Sequence, residues 1–501
     1  MNFIKALRLS PPQSRPRTPL LPVLFSLTWL QWAHFTSGLL AWTCDAMDFY
    51  SVSLSLTSLS NKFQKDTHDI TTAITLSLLL RTAGALIFGT LSDRYGRKYP
   101  MIANLLLVTV LEVATAFVKT YPQFLAVRSL FGIGMGGIWG LSASTALENL
   151  PVDIRGLASG VLQQGYALGC LLASVVNLTL VPAKTVQGKL GDDAWRSLFW
   201  LAGGLSFFTA AFRAILPESE QFIRGRRASE ARGISAQQRT QIFLKESVKM
   251  LRLHWGRFIY TVLMMAGFTF LSHGSQDLYP TFLRQTKGFT EHDSTMSTLI
   301  GFCGAIIGGA LCGWVSQYIG RRQTAMLYMI LIGAFIPLWI LPKSFAALTA
   351  GAFFMQFAAQ GCGGIIPIQL SEISPPAFRA SFPGIAYQIG SMISSASAQI
   401  EATGGDNIKI TTRLPDGTIS SIPDYGTVQG ILIGTVAAFL FLVMTLGPEN
   451  HGAEFEKHVT AFEEGGGDDD ALVSTDRDGS RTSKDEEAVH NSVDIEEKRA
   501  T

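Results

Sequence analysis

The amino-acid sequence predicts an all-α membrane protein with twelve transmembrane helices arranged as two six-helix pseudo-symmetric halves. Three observations carry this expectation. Only 16% of residues are charged, against roughly 25% in soluble chains. Apolar runs of the ~20 residues needed to cross a bilayer core recur from Thr28 to Leu446. One set of motifs also reappears at a constant offset of 224 residues, the distance from Gly89 to Gly313.

Reading apolar stretches between turn and charge punctuation places spans near 32–58, 71–91, 100–118, 123–147, 157–180 and 197–216. After a polar interruption come 258–282, 294–318, 324–341, 345–370, 380–401 and 425–446. The expected organisation is a tail (1–27), a first half (28–216), a central loop (217–257), a second half (258–447) and an acidic tail (448–501). Mean hydropathy is +0.27. The net charge of +2 hides basic clusters in short loops and acidic ones in the last tail, so overall balance gives no indication of nucleic-acid binding.

Cys44, Cys170, Cys303, Cys312 and Cys362 fall in apolar segments, at spacings that fit neither a metal site nor a disulfide framework. They read as packing residues. Residues 1–22 lack the apolar core and cleavage site of a signal peptide, so the first span is expected to direct insertion. Lys and Arg set the orientation. Arg94, Arg97, Lys98, Arg155, Arg224, Arg226, Arg321 and Arg379 follow even-numbered spans, while loops after odd spans are poorer. Both termini and the central loop are therefore expected in the cytoplasm.

The repeat fixes the relation of the halves. Gly89-Thr-Leu-Ser-Asp93-Arg94-Tyr-Gly96-Arg97-Lys returns as Gly313-Trp-Val-Ser-Gln317-Tyr-Ile-Gly320-Arg321-Arg. In the same register Glu148, Pro151, Arg155, Gly160 and Gln164 match Glu372, Pro375, Arg379, Gly384 and Gln388. Six spans return the chain to the same side, so the halves are parallel repeats with a substrate cavity expected between them at mid-bilayer. This twice-occurring loop resembles the signature of the major facilitator superfamily, and the resemblance implies a gating role for Asp93, Arg94, Arg97, Glu148, Arg155, Arg321, Glu372 and Arg379. A topology-determining role for the arginines is the alternative. Gln317 in place of Asp93 predicts a weaker charge-based latch in the second half. Gly132, Gly136 and Gly140 in span 4 form a small-residue stripe for close helix packing.

Ionisable groups at bilayer depth are costly and usually face a cavity or a partner. The short set comprises Asp45 and Asp48 (span 1), Arg81 (span 2), Glu112 (span 3), Arg128 (span 4), and His273 and Asp277 (span 7). On a helix His273, Gln276 and Asp277 share one face, and Pro280 is expected to kink the helix beside them. Imidazole titrates near pH ~6.5, which suits proton uptake from a mildly acidic exterior. A histidine bonding a neighbouring helix is the structural alternative. Arg81 is a natural fork for a carboxylate, or an internal partner of Asp45 or Asp48.

The string Thr269-Phe-Leu-Ser272-His273-Gly-Ser275-Gln276-Asp277-Leu-Tyr-Pro-Thr281 resembles the motif of the fungal Jen-type lactate and pyruvate permeases, within the sialate:proton symporter family. Thr269 replaces the motif's leading Asn. Trp42-Thr-Cys-Asp45-Ala-Met-Asp48-Phe and Gln163-Gln164-Gly-Tyr166 extend the likeness. The resemblance implies a plasma-membrane symporter of small monocarboxylates (lactate, pyruvate, acetate) and protons. Substrate contacts are then expected at Arg81, Gln163, Gln164, Ser272, His273, Ser275, Gln276 and Gln388. Proton coupling is expected at Asp45, Asp48, Arg128, His273 and Asp277. Dicarboxylates, sialic or sugar acids, and a carboxylate sensor with little flux are the rival readings.

No nucleotide-binding loop is present, and no catalytic or metal-ligand constellation appears, so an enzyme, a cofactor and a metal are not expected. The expected partners are a carboxylate, protons and lipid, with ubiquitin acting on tail residues such as Lys484 and Lys498. One chain is the expected functional unit. The tail after His451 is too polar to fold alone. Residues 404–424 read as a long exterior loop, and Asn177-Leu-Thr179 as a glycosylation pattern lying too near a span end.

Overall fold

A computed structural model describes residues 20–65, 67–186, 194–413, 419–451 and 461–463. The first 19 residues, most of the acidic tail, and Lys484 and Lys498 lie outside this set.

The first half contains α1 (Trp29–Leu54), α2 (Thr67–Tyr95), α3 (Lys98–Phe117), α4 (Tyr121–Leu147), α5 (Arg155–Gln163 and Gly165–Val186, broken at Gln164) and α6 (Arg196–Ile215). The second contains α7 (Ala236–Gln276), α8 (Glu291–Ile319), α9 (Arg321–Ile340), α10 (Phe345–Cys362, continued by Ile366–Ile373), α11 (Ser381–Ser394, continued by Ser397–Asn407) and α12 (Tyr425–Leu446). Local sequence sets several starts. Thr28 with Gln31, Thr120 with Gln123 and Ser235 with Gln238 form capping boxes that satisfy the first N–H groups of α1, α4 and α7. Gly96 and Gly320, both near φ +98°, make the turns into α3 and α9, a conformation that costs a side-chain-bearing residue.

Among the described residues ten helices are long and apolar enough to cross a membrane. The other two spans are α1 and α11. α1 carries Gln31, His34, Asp45 and Asp48, and α11 is split at Ser395–Ala396 into pieces of 14 and 11 residues. Both line the seam between the halves, where burial against protein tolerates polarity that lipid does not.

Packing repeats along with sequence. α2 packs on α4 as α8 packs on α10; α3 on α6 as α9 on α12; α1 on α5 as α7 on α11; α1 on α6 as α7 on α12. The two main contacts between halves are likewise a matched pair, α5 on α8 and α11 on α2.

Two segments differ from the sequence reading. The central 217–257 stretch is helical: Glu220–Ala231 is followed by α7, which begins at Ala236 and bends at His254 (φ −109°, ψ 18°). Its residues from 236 to 255 contain neither Pro nor Gly, and its apolar side buries Phe243 and Met250 with Phe378 and Phe382. An amphipathic helix on the polar side of a membrane gives no continuous apolar run. The expected exterior loop at 404–424 is also ordered in part. The α11 continuation runs to Asn407, and β1 (Lys409–Arg413) pairs antiparallel with β2 (Ile419–Pro423), held to the bundle by Thr286 Oγ1 donating to the Pro423 carbonyl at 3.0 Å.

Candidate functional site

A cavity of ≈ 40 Å³ lies between the halves. One water needs about 10–15 Å³ on this measure, so the space exceeds a single solvent molecule. Arg81 and Gln163 enter from the first half, Ser272 and His273 from the second.

Arg81 is placed by helix packing. Gly136 on α4 lies directly against the backbone of Arg81, so close that a Cβ would overlap the Arg81 carbonyl. The guanidinium is buried, contacts Asp45 on α1 (Nη2 to Oδ2, 2.9 Å) and sits 5.7 Å from the centre of the Phe49 ring. Across the cavity His273 Nδ1 lies 3.1 Å from Asp277 Oδ2, an i, i+4 pair on one face of α7. His273 is 16% exposed and Asp277 37%. Each cavity-facing basic group therefore already holds a carboxylate.

The remaining wall is aromatic and amide. Tyr387 stacks on Trp139 at 4.3 Å and meets Trp42 edge-on at 6.0 Å. Gln163 orients both indoles: Trp42 donates to its carbonyl (3.2 Å) and Trp139 to its side-chain oxygen (3.1 Å). Gln360 donates to Ser272 Oγ at 2.6 Å.

Other expected contacts lie beside the cavity without lining it. Gln276 donates to Gln356 on α10 (3.3 Å), and α7 ends at Gln276 instead of continuing through a kink at Pro280. Ser275 is buried and donates to the Ser272 carbonyl. Gln164 donates to the Gln360 carbonyl and Gln388 to the Gly136 carbonyl, both across the seam at 3.3 Å. Asp48 accepts from Ser206 (3.3 Å), and Arg128 pairs with Glu112 (2.6 Å) while covering the Phe131 ring at 3.8 Å. Among the described residues at mid-helix depth in the first half, three carboxylates, Asp45, Asp48 and Glu112, thus stand against the two guanidiniums of Arg81 and Arg128.

At the end of the bundle carrying the basic loops, here the basic face, the repeated motifs form twin clusters. Arg97 bonds Glu148 through two nitrogens (2.8 and 3.1 Å), with Asp93 3.4 Å away; Arg321 bonds Glu372 in the same way (3.1 and 3.2 Å). Burial acts to lower the Arg97 pKa, but Glu148 and Asp93 outweigh it and hold the group above its ordinary value. Each cluster crosses to the opposite half. Asp93 accepts the N–H groups of Ala380 and Ser381 at the start of α11 (3.4 and 3.0 Å). Gln317 accepts from Gly156 N–H and donates to the Val152 carbonyl at the start of α5, both at 2.8 Å. Gln317 therefore spans the same seam with neutral bonds. Arg94 reaches α7, donating to Thr240 and the Ala236 carbonyl. Arg155 donates to the Leu150 carbonyl (2.8 Å), and Arg379 is buried in the same layer.

The sugar (and other) transporter family matches residues 20–462. The chain belongs to this family. It is a multi-pass membrane transporter of the major facilitator superfamily. A carboxylic acid transporter protein homolog of Saccharomyces cerevisiae is 33% identical over 450 residues, covering 88% of this chain and 71% of that one. A probable 4-methylmuconolactone transporter of Cupriavidus pinatubonensis is 26% identical over 373 residues, 73% of this chain and 81% of that one. A double-tryptophan mutant of XylE shares the fold with a TM-score of 0.66 at 18% identity, covering 85% of this chain and 98% of that one.

Two features of the transporter went unread in its sequence. Trp139, Tyr387 and Gln360 reach the cavity or its wall from apolar runs, and only their convergence distinguishes them from packing residues. Glu218 and Glu449 accept backbone N–H groups at the starts of α3 and α9: Arg97 and Lys98 donate to the first, Arg321 to the second. The signal was present as a repeated Pro-Glu pair, Pro217-Glu218 and Pro448-Glu449, after spans 6 and 12.

Proposed function

We propose that the transporter imports small monocarboxylates together with protons by alternating access. One observation carries this reading: Arg81 and His273, from opposite halves, flank one cavity and are each held by an internal carboxylate. A substrate carboxylate competes with Asp45 for Arg81. Protonating Asp45 releases the guanidinium to the substrate, and a protonated His273 offers a second positive wall. The surplus of interior carboxylates gives that proton a place to reside, with Asp48, which accepts from the neutral Ser206 hydroxyl, as the group least compensated by a cation. An inward-moving anion meets about 2.3 kcal/mol per 100 mV of inside-negative potential, which a co-transported proton removes.

The basic loops support a cytoplasmic position for the end of the bundle that the Asp93 and Gln317 contacts close. On that reading the structure is closed inward, with the Asp93 and Gln317 contacts acting as the inner gate. The exposed Asp277 then faces the outer side. The carboxylic acid transport named for the yeast relative agrees with this chemistry. Two cationic walls also suit a dicarboxylate, so succinate competes in the same assay.

The test is uptake of labelled lactate in intact cells across external pH, with Arg81→Ala and His273→Ala beside wild type at matched surface expression. Acid-stimulated uptake is expected in wild type and lost in both variants. Undiminished uptake in either variant removes that residue from the mechanism, and wild-type uptake of succinate with none of lactate overturns the monocarboxylate assignment.

A further inference from the structure

The stretch of α7 before its bend at His254 has two apolar faces, and packing within the protein accounts for one of them. Phe243 and Met250 bury against Phe378 and Phe382. Leu244, Val248, Leu251 and Trp255 stand at i, i+4, i+7 and i+11, the spacing of a single helical stripe. They remain 59, 49, 51 and 65% exposed. Beside this stripe runs a second one, Lys245, Lys249 and Arg252 at i, i+4 and i+7, which is exposed as well. Glu246 is the one acidic residue of the sequence between 236 and 255, and it is buried. Lys249 lies 3.9 Å from it and still has a side chain 43% exposed.

The place of the apolar stripe indicates what covers it. Arg94, at the end of α2, donates to the Ala236 carbonyl and to Thr240, which holds the start of α7 at the basic face. Beyond the bend the exposed apolar row continues into the span as Ile259 and Leu263. Exposed apolar residues on a span of a membrane transporter face hydrocarbon, so the stripe before the bend prolongs a lipid-facing surface toward the headgroup layer. Trp255 sits at the junction, and tryptophan is favoured at that depth because its ring is apolar and its N–H is polar. An apolar stripe flanked by basic side chains is the pattern of a helix that lies in the membrane interface. The bend at His254 supplies the change of direction such a helix needs to enter the bilayer as a span. A basic cluster adjoining a transmembrane helix attracts anionic headgroups, whose net negative charge zwitterionic lipids lack.

We propose that residues 236–255 form an interfacial helix that binds anionic phospholipid in the leaflet at the basic face. Its apolar stripe rests among the upper acyl carbons, and Lys245, Lys249 and Arg252 engage the headgroup charges. The inference does not depend on which substrate is carried.

The test uses the full-length transporter. In vesicles of lipid brominated at the upper acyl carbons, Trp255 fluorescence is taken as the difference between wild type and Trp255→Phe. It is expected to be quenched by the brominated lipid and shielded from aqueous iodide. In detergent, binding of a fluorescent phosphatidylserine is expected to weaken roughly a hundredfold when Lys245→Gln, Lys249→Gln and Arg252→Gln are combined, about fivefold for each charge removed. Binding of the matching phosphatidylcholine is expected to be weak and equal in both proteins. Wild-type binding of phosphatidylserine should also weaken as salt is raised, a readout that needs no variant to fold. Trp255 open to iodide and untouched by brominated lipid overturns the proposal and leaves the stripe to a soluble partner. Equal wild-type binding of the two lipids, insensitivity to salt, or unchanged phosphatidylserine binding in the triple variant overturns the anionic-lipid site.

Discussion

Replacing Asp45 with Asn tests how the cavity links proton and anion. The Asp45–Arg81 contact is 2.9 Å long, with both side chains at most 6% exposed. At an effective dielectric of about 20, unit charges at that separation attract by roughly 6 kcal/mol, and a substrate carboxylate must displace this partner. Asp45→Asn removes the charge and leaves a hydrogen-bond acceptor. Lactate affinity at about pH 7.5 is expected to tighten by ~10–100-fold, or ~1.4–2.8 kcal/mol. The gain is a fraction of the Coulomb energy because substrate desolvation and the retained acceptor offset the rest. The acid dependence of binding should flatten, since no proton is needed to free Arg81. Without substrate the variant buries an uncompensated guanidinium, a change that costs about 3–5 kcal/mol when one partner of a buried pair is removed. Its thermal midpoint should therefore drop and recover with lactate more strongly than in wild type. Equilibrium binding of labelled lactate in detergent between about pH 5 and 8, with parallel thermal unfolding, measures both effects. Wild-type affinity at neutral pH, or an undiminished pH slope, refutes the competition between Asp45 and substrate.

The remaining predictions concern the gate and the packing that sets the site. Asp93→Ala and Gln317→Ala each remove seam-crossing bonds at the basic face, but those of Asp93 are charge-assisted, worth about 1.5–3 kcal/mol against roughly 0.5–1.5 for a neutral bond. Cysteine labelling from the basic face should therefore report more opening in Asp93→Ala than in Gln317→Ala; equal labelling refutes that ranking. Gly136→Ala pushes a methyl into the Arg81 carbonyl, where backbone and not a flexible side chain must yield. Overpacking of this kind costs about 1–3 kcal/mol. A lower thermal midpoint together with weakened lactate binding is expected, and full retention of both shows that α2 and α4 have room to separate.

The sequence alone determined the membrane architecture, because the bilayer demands long apolar helices and leaves that demand visible as runs of residues. The 224-residue repeat also marked Arg97 with Arg321, and Glu148 with Glu372, as matched charged positions, which the structure joins as Arg97–Glu148 and Arg321–Glu372. The ionisable groups of the core were legible for the same reason: charge in an apolar run is conspicuous. Partnership was not legible. Asp45 and Asp48 lie three residues apart on one helix, yet only the first meets Arg81 while the second turns toward Ser206 on α6. Gln276 shares a helix with His273, yet it bonds Gln356 on α10 while His273 holds Asp277. Tyr387, Trp139 and Gln360 were indistinguishable from packing residues until three helices brought them to one wall. Periodicity reports which face of a helix a residue occupies, whereas the neighbour on that face is set by how helices distant in sequence close against one another.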